Sequence, residues 1–310
     1  MSFVILQKTA LDDWDYVLRK YLKDVRGVAE EETLDTIAEQ LEINLKEEKR
    51  IVFSAYLDGK DCGFVTASPY DEVLEVVALY VVPESYDYNP ASELIKRIAS
   101  AAFTMGFYYV RYQAKLPFNK EPSFEENLEK AGFKVIPRNE MFLELQNVLD
   151  FSFTLPEGYA FEPFSLERLD EIMQVIVASN PEEHPDYYIY PEFREVETAK
   201  QFLGNATDDF SAITPLLNPQ IVFDNKIVGT SMVYTFPDKT AYIGDMSVHP
   251  DHQGKGLGKA LLRNIILECS RKGVKKIGLA VTTSNNVAFK LYLTHGFQIS
   301  SDSLAIIKQK

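Results

Sequence analysis

Four blocks of the chain recur in order at a nearly fixed distance. YLDGKDCGFVTA (56–67) matches VFDNKIVGTSMV (222–233), which sets Gly63 against Gly229. LYVVPESY (79–86) matches MSVHPDHQ (246–253), with Pro83 against Pro250. TMGFYYVRYQA (104–114) matches RKGVKKIGLAV (271–281), with Gly106 against Gly273. ENLEKAGFKV (126–135) matches KLYLTHGFQI (290–299), with Gly132 against Gly296. The step from one partner to the other barely changes between blocks, and spacing this regular implies two tandem copies of one folding unit. The 310 residues suit two domains at roughly 150 residues each. The boundary is expected near 146–158 (QNVLDFSFTLPEG), dividing the chain into domains 1–150 and 151–310.

Both copies read alike, and the second is clearer. A strand is expected at Tyr159–Phe164, a helix at Leu166–Ser179, and a helix from Glu195 to Leu203. A strand at Gln220–Phe223 turns at Asp224-Asn225 into Ile227–Tyr234. A strand at Thr240–Val248 precedes a helix from Gly254 to Lys272, which places Leu257, Leu261, Leu262, Ile265 and Cys269 on one side and stops at Gly273. A strand at Lys276–Val281, a helix at Asn285–Thr294, and strands near Phe297–Ser300 and Leu304–Ile307 complete the copy. A meander followed by a strand–helix–strand crossover implies an α/β (α+β) fold. Each copy is a mixed, mostly antiparallel twisted sheet flanked by helices.

Composition removes several classes of function. Apolar residues at 46% and charged residues at 25% are globular values. No apolar run is long enough to cross a membrane, and the N-terminal MSFVILQKTALDDWD lacks the basic start of a secretory signal. With 32 Lys/Arg against 46 Asp/Glu the net charge is −14, which disfavours nucleic acid as a partner. Two distant cysteines and four scattered histidines leave no metal site and fit a reducing, cytoplasmic setting. Against the acidic background, Lys255, Lys259, Arg263, Arg271, Lys272, Lys275 and Lys276 cluster beside a glycine-rich turn. They form either a solvated helix face or a site for a polyanionic small molecule. No residue pattern specifies an oligomeric state.

That turn carries the chemistry. In VHPDHQGKGLGKALL (248–262), Gln253, Gly254, Lys255, Gly256, Leu257 and Gly258 join a strand to a helix. Glycine lets the backbone approach a ligand closely, and free N–H groups at a helix start bind phosphates. The dinucleotide pattern G-x-G-x-x-G fails, because Lys259 stands where the third glycine belongs, and the G-x-x-x-x-G-K-[ST] loop fails as well.

Q-G-K-G-L-G after a V-x-P strand end resembles the [RQ]-x-x-G-x-[GA] acetyl-CoA signature of the GCN5-related N-acetyltransferase (GNAT) superfamily. A second block, NNVAFKLYLTHGF, resembles the family's N-x-x-A-x-x-x-Y-x-x-x-G-F through Asn285, Ala288, Tyr292, Gly296 and Phe297. The resemblance covers residues 159–308; the first copy resembles the fold but not the site.

It implies that the amides of the 253–258 turn hold the pyrophosphate of acetyl-CoA, the cosubstrate. The pantetheine arm would lie where the strand ending at Val248 splays from Ile277–Val281. A backbone N–H near Met246–Val248 would polarise the thioester carbonyl. Asn285 would bond the pantetheine arm and Ala288 would border it. Tyr292 would protonate the departing thiolate. Asp245 is the candidate base, with His249 and His252 as alternatives. Asp245 and Ser247 share a side of a regular strand, unless a bulge breaks the parity.

In the first copy, Tyr86-Asp87-Tyr88-Asn89-Pro90-Ala91 stand where 253–258 stand in the second, and Glu129 or Lys130 stands for Tyr292. Pro90 has no N–H, so this copy is expected to be degenerate and to lack CoA binding. The acceptor is expected under 180–197 (NPEEHPDYYIYPEFREVE). There Tyr187, Tyr188, Tyr190 and Phe193, with Glu182, Glu183 and Asp186, would suit a cationic amine, or form a lid with its aromatics folded inward. The expected activity is acetyl transfer to a primary amine of a small molecule or peptide. A non-catalytic acyl-CoA sensor and a structural interaction protein are the other classes.

Overall fold

Alternating and fully apolar runs set the strands, and the same order of elements is laid down twice. The structure, a computed structural model, describes residues 2–11, 14–115, 121–145, 153–206 and 213–310. The expected linker at 146–158 lies largely outside the described residues, through 146–152.

One unit comprises Met1–Pro137 and Ser303–Lys310. It contains β1 (Phe3–Lys8), α1 (Asp15–Asp24), α2 (Glu31–Lys46), β2 (Ile51–Leu57), β3 (Lys60–Tyr70), β4 (Val73–Val81), α3 (Pro90–Met105), β5 (Tyr109–Lys115) and α4 (Phe124–Lys130). Strands β1 to β4 form an antiparallel meander, β5 adds parallel to β4, and Ser303–Gln309 pair antiparallel with β5. Alternate residues of β2 serve two cores: Phe53 and Ala55 pack with α3, while Val52 packs with Trp14 and Leu34 of the α1–α2 side. Helices therefore cover both faces, which is why β2 is buried almost throughout.

The other unit comprises Arg138–Asp302. It begins within β6 (Lys134–Glu144) and runs through β7 (Tyr159–Glu162), α5 (Leu169–Ala178), α6 (Val196–Ala206), β8 (Gln220–Phe223), β9 (Lys226–Thr235), β10 (Thr240–Val248), α7 (Leu257–Arg271), β11 (Lys276–Thr282) and α8 (Asn286–Thr294). It ends within β12 (Gln298–Gln309). Strands β7 to β10 form the meander, β11 adds parallel to β10, and residues 138–144 pair antiparallel with β11. The β8–β9 hairpin turns through Asp224 and Asn225, both at positive φ (47° and 59°), as the two-residue turn predicts.

The repeat is visible in the register. Parallel pairing runs from Val73↔Tyr109 to Val76↔Tyr112 in the first unit, and from Thr240↔Lys276 to Ile243↔Leu279 in the second. In both, the earlier strand continues past the last parallel pair, so its edge is left free. Each also carries a bulge one residue further on, at Val77 and at Gly244.

Two expectations are corrected. The sequence boundaries 1–150 and 151–310 do not match the units, because 138–144 complete the second and 303–309 complete the first. Alternation specifies that a segment is a strand but not which edge it joins. The two short terminal strands are one strand, β12.

Candidate functional site

The second unit encloses a cavity of about 860 Å³ beside the free edge of β10. Pairing of β10 to β11 stops at Ile243, while β10 stays paired to β9 as far as Val248. Gly244, Asp245, Met246, Ser247 and Val248 thus border the opening with one strand edge unpaired. Gly244 is the bulge residue, and a Cβ there would lie 2.4 Å from the Tyr234 ring, so a larger residue would force the ring to move. The bulge precedes Asp245, and the expected parity holds: Ser247 Oγ donates to Asp245 Oδ1 (3.0 Å).

The floor of the opening is the glycine turn. A short turn of helix at Pro250–His252 leads to Gly254 and Gly256, both at positive φ (73° and 81°). Gly256 begins α7 without any side chain capping the first turn, and a Cβ there would meet open space. Uncapped N–H groups at a helix start, facing space, suit a phosphate. Gln253 Nε2 donates to Val248 O (3.0 Å) and ties the turn back to β10. On the facing side Asn285 caps α8 by accepting from the Ala288 N–H (3.1 Å). Among the expected binding residues, Met246, Val248, Gln253, Gly254, Gly256, Leu257, Gly258, Asn285 and Ala288 line the cavity. Lys255 does not: its Nζ donates to Asp251 O (3.1 Å).

Tyr292 and Asp245 share this cavity. Tyr292 is 8% exposed, and its phenol is raised above its ordinary value by burial, then by the charges of Asp245 and Asp186. Asp245 is half-buried as a residue, but its Oδ2 is shut off from solvent without a hydrogen-bond partner. Burial pushes its carboxyl up to about 7; Ser247 opposes the shift and Asp186 adds to it. The alternative bases do not line the cavity. His252 Nδ1 meets Tyr159 Oη (2.8 Å), and His249 Nδ1 accepts from the Asp251 N–H (3.3 Å).

The acceptor loop is sorted by the structure. Tyr190, Phe193 and Asp186 line the cavity. Tyr187 and Tyr188 do not: the Arg194 guanidinium lies over their rings, at 4.3 Å and 6.0 Å. The Thr282 hydroxyl holds Asp186, whose N–H donates to His184 Nδ1 (3.2 Å). Burial lowers the His184 imidazole, which favours its neutral form.

Sequence reasoning missed Arg138, Asn180, His184 and Lys290, all of which line the cavity. Arg138 is 5% exposed and donates to Tyr190 Oη and Ala280 O (3.2 Å each). The expected boundary puts it in the first domain, and only its strand pairing reveals its place. Of the basic cluster, only Lys259 lines the cavity; Arg271 pairs with Glu268, and Lys276 lies over the Phe142 ring (3.7 Å).

The equivalent helix of the first unit, α3, is arranged differently. Asn89 keeps the left-handed backbone of Gly256 (φ 54°). The first-turn amides are taken by Glu121, whose carboxylate accepts from Ala91 N–H (2.6 Å) and Ser92 N–H (3.1 Å) and is 2% exposed. The counterpart of Tyr292 is buried Leu128 rather than Glu129 or Lys130: Phe133 N–H donates to Leu128 O as Phe297 N–H does to Tyr292 O. Among the described residues no cluster suited to a metal ion occurs, and no helix is long and apolar enough to cross a membrane.

Residues 169–297 match the acetyltransferase (GNAT) family. Along 99% of its length the chain superposes on 95% of a GCN5-related N-acetyltransferase from Sphaerobacter thermophilus (TM-score 0.65, 18% identity). Likewise 99% of it superposes on 98% of a tandem GNAT protein from the clavulanic acid biosynthesis pathway (TM-score 0.58, 15% identity). In sequence it is 36% identical over 81 residues to the [ribosomal protein bS18]-alanine N-acetyltransferase of Escherichia coli K12, covering 26% of this chain and 54% of that protein. The Salmonella typhimurium enzyme of the same name is 32% identical over 98 residues, covering 32% of this chain and 62% of that protein. The aligned stretch thus spans little more than half the length of these relatives. The acetyltransferase (GNAT) match falls within the second unit, and the fold of the chain is that of these GNAT structures, the tandem one included.

Proposed function

We propose that the second unit transfers an acetyl group from acetyl-CoA to a primary amine of a small molecule or peptide, within a ternary complex. One observation carries the reading: the free edge of β10, the glycine turn, Asp245 and Tyr292 border a single cavity. The turn's amides and Lys259 would hold phosphate, and Asn285 and Ala288 would flank the pantetheine arm. The amine nitrogen bonds to the thioester carbonyl carbon while an amide of the β10 edge steadies the oxyanion. Asp245 takes the amine proton, the C–S bond breaks, and the thiolate receives the Tyr292 proton. The names of the bacterial relatives add a protein α-amine to the acceptors to be tried.

The first unit binds no CoA in this reading, since Glu121 fills the amides of α3. Two buried free thiols, Cys62 and Cys269, support a cytoplasmic setting. The test is thiol release from acetyl-CoA with polyamines, amino acids, aminoglycosides and peptide N-termini. Release with one of these classes is expected. Binding of acetyl-CoA without release for any amine would indicate a sensor, and absence of binding would overturn the assignment.

A further inference from the structure

Asn180 and Asp245, which line the cavity, each carry a polar atom that the fold buries and does not satisfy. One is Asp245 Oδ2 and the other is Asn180 Nδ2, neither with a hydrogen-bond partner among the described residues. Asn180 is 7% exposed, and both residues line the same cavity. Asn180 lies two residues beyond α5, which packs on β9 and on β10, the strand that carries Asp245. Its backbone is anchored, since its N–H donates to Val177 O (3.1 Å), but its side-chain amide is left over. A buried donor without a partner destabilises the fold, and a ligand that supplies the missing acceptor recovers the loss. One atom accepts and the other donates, so a single ligand that satisfies both carries a donor and an acceptor.

We propose that Asn180 and Asp245 together select the acceptor of the acetyl transfer as an amine with a neutral oxygen on the neighbouring carbon. Asp245 accepts from the amine, and Asn180 Nδ2 donates to the oxygen. That arrangement occurs in the α-amine and carbonyl of a peptide N-terminus, and in vicinal amino alcohols such as amino sugars. The balance of charge favours a cationic amine with a neutral oxygen: the carboxylates of Asp186 and Asp245 line the cavity with a single guanidinium, Arg138, two of whose nitrogens donate to Tyr190 Oη and Ala280 O. Asn180 is then a specificity-determining residue, and its role rests on the acetyl-transfer reading.

The test compares alaninamide, alaninol and sec-butylamine, three amines of similar size of which the last lacks the oxygen. In the native chain kcat/KM for alaninamide or alaninol should exceed that for sec-butylamine by about 10–100-fold, the usual effect of one buried hydrogen bond made or missed. In Asn180→Ala and Asn180→Asp that preference should shrink to within a few-fold, through KM. Calorimetry of the CoA-loaded chain should show the same loss in alaninamide affinity, and thermal melting confirms that the variants fold. A preference for alaninamide identifies the aminoacyl source, and one for alaninol the amino-alcohol source. Amines acetylated with a preference unchanged in both variants would overturn this inference alone. No thiol release from any amine would overturn the acetyl-transfer reading along with it.

Discussion

Asp245 and Tyr292 feel the same burial, and their chemistry turns it to opposite uses. A carboxyl raised to about 7 is a base of useful strength near neutrality, whereas a raised phenol keeps its proton throughout that range. Only ionised Asp245 accepts a proton, so kcat/KM for a given amine should rise with pH through about 7. Asp245→Asn should remove that limb and lower the rate; the same limb surviving in the variant would exclude Asp245 as the base. The shift also affects stability. Protonated Asp245 favours the fold below about pH 4, and that contribution is lost as pH rises to about 7. The melting temperature of Asp245→Asn should therefore gain on the native chain across that window. Tyr292→Phe should lower kcat by about 10²-fold or more with little change in CoA affinity. Full activity in that variant would remove the phenol from the mechanism.

At the scale of elements, the contrast between α3 and α7 decides which unit binds. Both helices start at a left-handed residue after a short turn, Asn89 in one and Gly256 in the other. In α7 the first-turn amides lack a side-chain cap, whereas in α3 they are bonded by a buried carboxylate that occupies the place of an anion. The sequence showed the missing glycines and Pro90, but not Glu121. That residue lies 30 positions from Ala91 and reaches it only in the folded unit. Glu121→Ala leaves two buried N–H groups unpaired, at about 1–3 kcal/mol each. It should lower the melting temperature and leave acetyl-CoA affinity unchanged. A fall in affinity would show that the first unit takes part in binding.

At the scale of the whole molecule, the duplication was legible because glycines at turns and prolines after strands keep their spacing when other residues drift. The strands of the second copy fell where the alternation placed them, β8 and β10 to the residue. The glycine turn stood out by its spacing, and the resemblance to two family motifs singled out Asn285, Tyr292 and Asp245, which line one cavity with it. The assignment of 138–144 and 303–309 was not legible, since a strand's sequence does not name its neighbour. That is why a boundary drawn from sequence puts Arg138 in the wrong half. Asn180 and His184 fell inside the expected acceptor segment 180–197 but were not singled out there, as only burial distinguishes them from its other polar residues. It follows that a chain cut at 150 would separate strands from the units they complete, so the one-site claim is best tested on the intact chain. The deciding measurement is a calorimetric titration of the full chain with acetyl-CoA, alongside Gly256→Val and Asn89→Ala. A side chain at Gly256 would enter the open space before α7 and strain a backbone at φ 81°. The expected result is one molecule bound per chain, lost in Gly256→Val and kept in Asn89→Ala. Two equivalent sites per chain, or binding that survives in Gly256→Val, would contradict it.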